Sequence, residues 1–376
     1  MQMLTAEGCK ARRDKLIASV EADLIVIHNP RHIQYLSGLF VTQTALKGWG
    51  SNFLLIDTAT GKSRLLVHNH IAGDAHNAHV DDVDEWTWYD AGRNPGIEIF
   101  GTAVRELNTR LTSMTTRRVG VEIGWLPLGV NVENTVDVSA TLFEMQRQKY
   151  DDELTLIREA VHGVGAGHRA ARQVIEPGVT ELDVYNALQA GIVNEVGHAV
   201  LLMGDFASGD RANGGGGEAT KRVLAAGELM ILDVFPIVNG YRADFTATVS
   251  VDGQLSEKQA ALEKALHAGI AAGEKMLKPG SVAGDVYRAV QAALADNGGF
   301  DKGFRHHAGH GLGLGHPQAP YFVPESRETL IAGDVVTLEP GSYGDDFGAR
   351  IEHNYLITDS GYERLSNHDT AFVSAG

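Results

Sequence analysis

Residues 229–251 read LMILDVFPIVNGYRADFTATVSV, two apolar runs joined through an Asn-Gly pair. Asn239-Gly240 predicts a tight hairpin, because both central positions of a type I′ turn need positive φ. A hairpin closed there sets Asp233 opposite Thr246 and makes Asp244 a diagonal neighbour on the same face. Diagonal positions lie ~7–8 Å apart, so the two carboxylates can reach into one space. Carboxylates so placed can share a pair of cations ~3.5–4 Å apart, an arrangement suited to metal-assisted hydrolysis. Pro236 complicates the register, since it cannot donate to the ladder.

A second acidic pair follows. VVTLE (335–339) and ARIEHNYLIT (349–358) are strand-like runs separated by Pro340-Gly341 and a turn-rich Gly-Asp-Asp. A turn centred on Asp345-Asp346 makes Glu339 and Glu352 face each other. Like charges directly opposite are destabilising, and carboxylates buried without partners cost more still. In otherwise apolar strands such placement makes sense with a cation between them. Between the pairs lies HHAGHGLGLG (306–315), where glycine at nearly every second position lets backbones approach closely and His310 offers a nitrogen ligand.

Taken singly, an Asp or Glu in a strand is ordinarily at an edge or solvated. Four such residues in two hairpins, flanking a His-Gly strand that adds His310, predict a shared cation site instead. Four carboxylates and one imidazole suit hard to borderline ions such as Mn²⁺, Fe²⁺, Co²⁺ or Zn²⁺. Cys9 is the only cysteine, which rules out a thiolate-rich zinc site and any internal disulfide.

The elements that must hold these residues show an internal repeat. VIEPGVTELDVYNALQA (174–190) and MLKPGSVAGDVYRAVQA (276–292) share their Pro-Gly pairs, Asp-Val-Tyr triplets and Gln-Ala ends, as Pro177 and Pro279 illustrate, 102 residues apart. In each copy one helix ends before Pro-Gly and another starts near Thr180 or Ser281. A duplicated helix–turn–helix feeding strands predicts two halves about a pseudo-two-fold axis, with a site between them. The first ~145 residues alternate helix and strand: a helix over 8–21, strands at Ala22–His28, Ser51–Asp57, Ser63–Val67 and Val119–Gly124, and an edge strand or interface at Glu85–Asp90. The histidines of this half (His28, His32, His68, His70, His76, His79) lack an accompanying carboxylate spacing and read as solvated or structural. The charged stretch QRQKYDDE (146–153) opens a helical pattern through Val174 and marks the domain boundary.

The net charge of −16 argues against nucleic acid or an anionic membrane as partner. The N-terminus lacks the apolar core of a signal peptide, and the chain has no run of ~18 apolar residues. A cytoplasmic setting is the expectation.

ILDVFPIVNGYRADFT, HHAGHGLGL, TLEPGSY and RIEHNYLIT together resemble the pita-bread metallopeptidase family, which includes prolidase, aminopeptidase P, methionine aminopeptidase and the metal-free creatinase. HIQYLSGLF (32–40) looks like the smaller domain of the prolidase, aminopeptidase P and creatinase branch. The resemblance implies an α+β architecture: a creatinase-like α/β domain over residues 1–147 and a pseudo-two-fold pita-bread domain over 148–376. It further implies two divalent metal ions, manganese first among cobalt, zinc and iron. Asp233 and Asp244 would bind one, His310 and Glu339 the other, with Asp244 and Glu352 bridging. Glu339 would also pass the proton of a metal-activated hydroxide. His306 and His316 are the remaining catalytic candidates, and Tyr343 and Arg350 line or brace the substrate site. A homodimer is expected, with Trp49 in KGWGS (47–51), Trp86 and Trp88 as interface candidates, although packing within the small domain is the favoured reading for these tryptophans.

The chain departs from the family pattern around the substrate. A histidine that usually holds the substrate carbonyl is replaced by Gly216, and one that stabilises the tetrahedral intermediate by Pro317. His316 stands one residue early, on the opposite face of a regular strand unless a bulge turns it back. Phe235 replaces a usual glycine, Ala247 a common arginine and His353 a frequent aspartate. The leading expectation is an Xaa-Pro peptidase acting on small peptides. The alternatives are a C–N hydrolase of creatinase or ectoine-hydrolase type, or a metal-dependent lyase, on a small amide-like substrate, and beyond these a non-catalytic binding protein.

Overall fold

The computed structural model describes residues 3–41, 51–92, 99–112, 117–344 and 346–373. The chain divides into two compact units, Met1–Gln146 and Arg147–Gly376.

The first unit is built on a six-stranded mixed sheet. Its strands are β1 (Leu24–Ile27), β2 (Phe53–Asp57), β3 (Ser63–His68), β4 (Asp82–Trp86), β5 (Val119–Val121) and β6 (Thr135–Asp137), in the order β4-β3-β2-β1-β5-β6. The central strand is the uninterrupted apolar run LIVI, buried along its length, as expected for a strand covered on both faces. The first helix, Ala6–Ser19, starts two residues before the expected span. Its buried face includes two arginines. Arg12 and Arg13 each donate at 2.6 Å to carbonyls in the last turn of helix Pro30–Ser37, those of Tyr35 and Leu36, where carbonyls commonly look outside the helix for donors.

Trp86, on the edge strand, is only 4% exposed and packs in the sheet core with Trp88 against it, the within-domain packing favoured from the sequence; Trp49 lies outside the described residues. His32 does have a carboxylate, the buried Glu122 that follows β5, ninety residues along the chain and invisible to local spacing.

The second unit carries the repeat as two helix pairs. Asp151–Arg172 packs on Glu181–Val196, and Glu257–Glu274 on Ala283–Asp296. Thr180 caps its helix through a reciprocal box with Asp183. The first pair leads into an antiparallel sheet of β7 (Gly204–Ser208), β8 (Leu229–Val234) and β11 (Phe245–Ser250), with the short ladder β9 (Ile237–Val238) and β10 (Tyr241–Arg242) at the hairpin tip. The second pair leads into β12 (His310–Gly311), β13 (Gln318–Tyr321), β14 (Val335–Leu338), β17 (His353–Ile357) and β18 (Tyr362–Arg364), with β15 (Gly341–Tyr343) and β16 (Gly348–Arg350) forming a separate ladder. The core of this half lies where Leu262, Leu266, Val286 and Val290 meet Val336, Leu338 and Tyr355.

Candidate metal centre

Both hairpins close in the register that their turns demand. Asn239 and Gly240 have φ of 50° and 87°, the two positive values of a type I′ turn. Asp233 therefore pairs with Thr246, as expected. Pro236 falls in the gap between β8 and β9, where no ladder bond is required. In the second hairpin Val335–Leu338 pairs with His353–Leu356 and Gly341–Tyr343 with Gly348–Arg350. The two ladders keep one register across the break between them, which sets Glu339 against Glu352; Asp345, part of the expected turn centre, lies outside the described residues.

The glycine strand earns its composition from crowding. A Cβ at Gly309 would lie 2.2 Å from the Thr337 carbonyl oxygen, and one at Gly311 would lie 2.0 Å from that of Ala319. Only glycines let His310 enter between these neighbours.

The result is a set of buried donors at one end of a cleft of about 620 Å³. Ligand atoms of Asp233, Asp244 and Glu352 lie within 4.8 Å of one another, as do those of His310, Glu339 and Glu352. Asp233 Oδ1 and Glu352 Oε1 are buried and accept no hydrogen bond from the described residues. Carboxylate oxygens buried without donors are expensive, so this donor set fits divalent cations. Electrostatics says the same. Burial pushes the Asp233 carboxyl up to about 7 against the pull of Arg350, and burial together with Asp244, Glu339 and Asp233 drives Glu352 well above the carboxylate range. Burial also acts to raise Glu339, but His307, His310 and His306 outweigh it and hold this carboxyl down to about 2. For Asp244 the neighbouring His316 and His310 outweigh burial, holding it well below the usual range. Four carboxyl groups in one buried cluster thus cannot all ionise on the histidines' charge alone.

A bracing chain runs behind the cluster. Arg350 donates to Asp233 Oδ2 at 2.5 Å, to the Tyr343 hydroxyl at 2.5 Å and to the Gly215 carbonyl at 2.9 Å. His306 Nδ1 faces the His307 carbonyl at 2.7 Å and must donate to it, so its Nε2 accepts from the Tyr343 hydroxyl at 3.0 Å. Burial, which outweighs Glu339, keeps that imidazole neutral, down to about 4. Tyr343, Arg350 and His306 are thus linked by hydrogen bonds along one wall of the cleft.

His316 faces the site. It lies in the irregular segment between β12 and β13, whose pairing shifts register between His310 and Gly311, and its Nε2 is 2.7 Å from Asp244 Oδ2. His353 turns away from it: its ring contacts Ser366 and His368, and it does not line the cleft. Sequence reasoning missed Asp205, opposite Asp233 in the β7–β8 ladder, and His307, 3.1 Å from Glu339. The Asp in β7 and the doubled histidine were available as signals, but neither implies its partner. It also missed Thr246 and Asn354, which hold Glu352 and Asp244 respectively.

This fold is shared with solved metallopeptidases. The Xaa-Pro dipeptidase from Bacillus anthracis superposes with a TM-score of 0.82 at 21% identity, covering 98% of this chain and 99% of the other. The prolidase from Pyrococcus horikoshii OT3 gives 0.80 at 21%, over 97% and 99%. The X-Pro aminopeptidase from Thermotoga maritima MSB8 gives 0.82 at 20%, over 96% and 98%. At such identities the likeness is one of fold, the α+β pita-bread architecture with its smaller N-terminal domain. The family model of metallopeptidase family M24 matches residues 155–359. Uncharacterized peptidases of Staphylococcus aureus are 30% identical over 247 residues, covering 64% of this chain and 68% of theirs. The chain belongs to metallopeptidase family M24 and is a metallopeptidase-like hydrolase.

Proposed function

We propose that this chain is a dinuclear metal-dependent peptidase that cleaves Xaa-Pro bonds in small peptides. The observation that carries the reading is the cluster Asp233, Asp244, His310, Glu339 and Glu352, with two buried carboxylate oxygens that no donor among the described residues satisfies. The names of the structural neighbours, Xaa-Pro dipeptidase, prolidase and X-Pro aminopeptidase, support the substrate class. Divalent ions held there, with manganese expected first, would acidify water and polarise a substrate carbonyl. Asp233 and Asp244 would hold one ion, His310 and Glu339 the other, with Asp244 and Glu352 between them. Glu339, kept ionised by His307, would accept the proton of the attacking water and deliver it to the leaving amine. Arg350 and Tyr343 fix the wall against which the substrate is oriented. The reading extends to a homodimer in the cytoplasm, on the resemblance and on the single cysteine.

A second reading is favoured by one observation. A Cβ at Gly216 would lie 2.3 Å from the Asp205 carboxylate, so the space beside the residue that replaces the family's carbonyl-holding histidine is already filled. That suits a C–N hydrolase of creatinase or ectoine-hydrolase type, or a lyase, acting on a small amide-like substrate. Proline release from Xaa-Pro dipeptides and longer peptides, with Mn²⁺, Co²⁺ or Zn²⁺ supplied, tests the first reading. Turnover of guanidino, amidino or N-acyl compounds with none of the peptides would replace it with the second.

A further inference from the structure

We propose that His316 is a metal ligand in its own right, so that the ion on the His310 side would be held by two imidazoles rather than one. The inference rests on the cation cluster proposed above. The carrying observation is convergence. His316 Nε2 and His310 Nε2 approach the same oxygen, Asp244 Oδ2, at 2.7 and 3.2 Å, with their rings nearly perpendicular and 5.2 Å apart. Ligand atoms of Asp244, His310 and His316 all lie within 4.8 Å of one another, a three-donor set separate from those that contain Glu339 or Glu352.

Hydrogen bonding fixes what one of these nitrogens presents. His310 Nδ1 lies 2.9 Å from the Gly311 carbonyl, which can only accept, so the proton of the neutral ring is on Nδ1. Its Nε2 then offers a lone pair to the space in front of Asp244. Such a backbone bond is how metal-binding histidines are commonly held. In the neutral ring that would bind a cation, His310 Nε2 and Asp244 Oδ2 would face one space together, and His316 Nε2 points at that same place.

His316 is also held there. Its ring stacks on Phe235 at 4.5 Å with an interplanar angle of 17°. Phe235 stands where the family pattern usually has glycine, at the end of β8, and its bulk supports an imidazole that has moved one position along the turn. The two departures, Phe235 and His316, thus account for each other. An imidazole whose Nε2 is engaged at Asp244 is not available to a substrate carbonyl, so the shift trades a carbonyl donor for a ligand. Imidazole favours borderline ions over hard ones, and the added nitrogen should therefore matter more for Co²⁺ and Zn²⁺ than for Mn²⁺.

The test is metal binding, read without substrate. Metal-stripped wild-type protein, His316→Gln and Phe235→Gly are titrated with Co²⁺ and with Mn²⁺ by calorimetry, and visible absorption of the Co²⁺ forms is recorded. In His316→Gln one of the two Co²⁺ ions should bind on the order of 10- to 100-fold more weakly, with an altered visible spectrum and a smaller loss for Mn²⁺. Phe235→Gly should alter the same spectrum with a smaller loss of affinity, and it carries the test if His316→Gln does not fold. An unchanged Co²⁺ affinity and spectrum in the folded variants would overturn the assignment while leaving the cation cluster standing. Wild-type protein that binds neither ion would overturn the cluster and this inference with it.

Discussion

Arg350 Nη2 lies 2.5 Å from Asp233 Oδ2, a buried ion pair whose carboxylate leaves its second oxygen without a hydrogen-bond partner among the described residues. The guanidinium fixes one face of Asp233 and leaves the other for a cation. Removing one member of a buried pair commonly costs about 3–5 kcal/mol, because the survivor remains buried. Arg350→Met should lose stability of that order in urea unfolding of the chelated protein. It should also release the Tyr343 hydroxyl from its place against His306.

Glu339 is the one cluster carboxylate with a proposed second task, moving a proton. Glu339→Ala should abolish product release, a fall of at least ~10³-fold given what a general acid–base and a ligand contribute. Cys9→Ser should leave turnover unchanged, since Cys9 is packed within the first unit. Steady-state rates with saturating metal decide both, and an active Glu339→Ala would refute the proton role.

Gly216 offers a structural test of the missing histidine. Because a Cβ there would lie 2.3 Å from Asp205, Gly216→Ala should cost ~1–3 kcal/mol through overpacking. Adding Asp205→Ala should recover part of that loss. Gly216→His alone should not improve Xaa-Pro cleavage, whereas the double variant has room for the imidazole. Thermal unfolding and kcat/KM measure the two effects.

Lys149 gives the second unit a pH signature. Burial, only partly offset by Glu153 and Asp334, holds its ammonium down to about 8, against an ordinary value of 10.5. The unfolded chain therefore binds more protons between those values, and stability from this group rises with pH across that window. Below about 8 its full cost is present, on the order of 3 kcal/mol. Lys149→Met should be more stable than wild type at pH 7 and should lack the wild-type gain between pH 8 and 10. Urea midpoints across that range check the sign.

What could be read in advance follows from how local the determinants are. Asn239-Gly240 sets the register of β8 and β11 within a dozen residues, so the Asp233–Thr246 pairing was legible. The Glu339–Glu352 relationship was legible for the same reason. The glycine spacing around His310 announced close backbone approach, and the contacts of Gly309 and Gly311 supply its cause. His316 was not legible, because its direction depends on an irregular turn that strand alternation cannot describe. Arg350 with Asp233, Asp205 with Asp233, and His32 with Glu122 join residues far apart in the chain, and no periodicity encodes such meetings.

The central claim is that four carboxylates and His310 form a cradle for two cations. Its most direct measurement is metal stoichiometry: dialysis of stripped protein against Mn²⁺ or Co²⁺, followed by elemental analysis per chain. The account predicts two ions per chain for the wild type and fewer than two for Glu352→Ala, which removes the carboxylate set between them. Wild-type protein that holds no more than one ion, or a Glu352→Ala variant that still holds two, would contradict it.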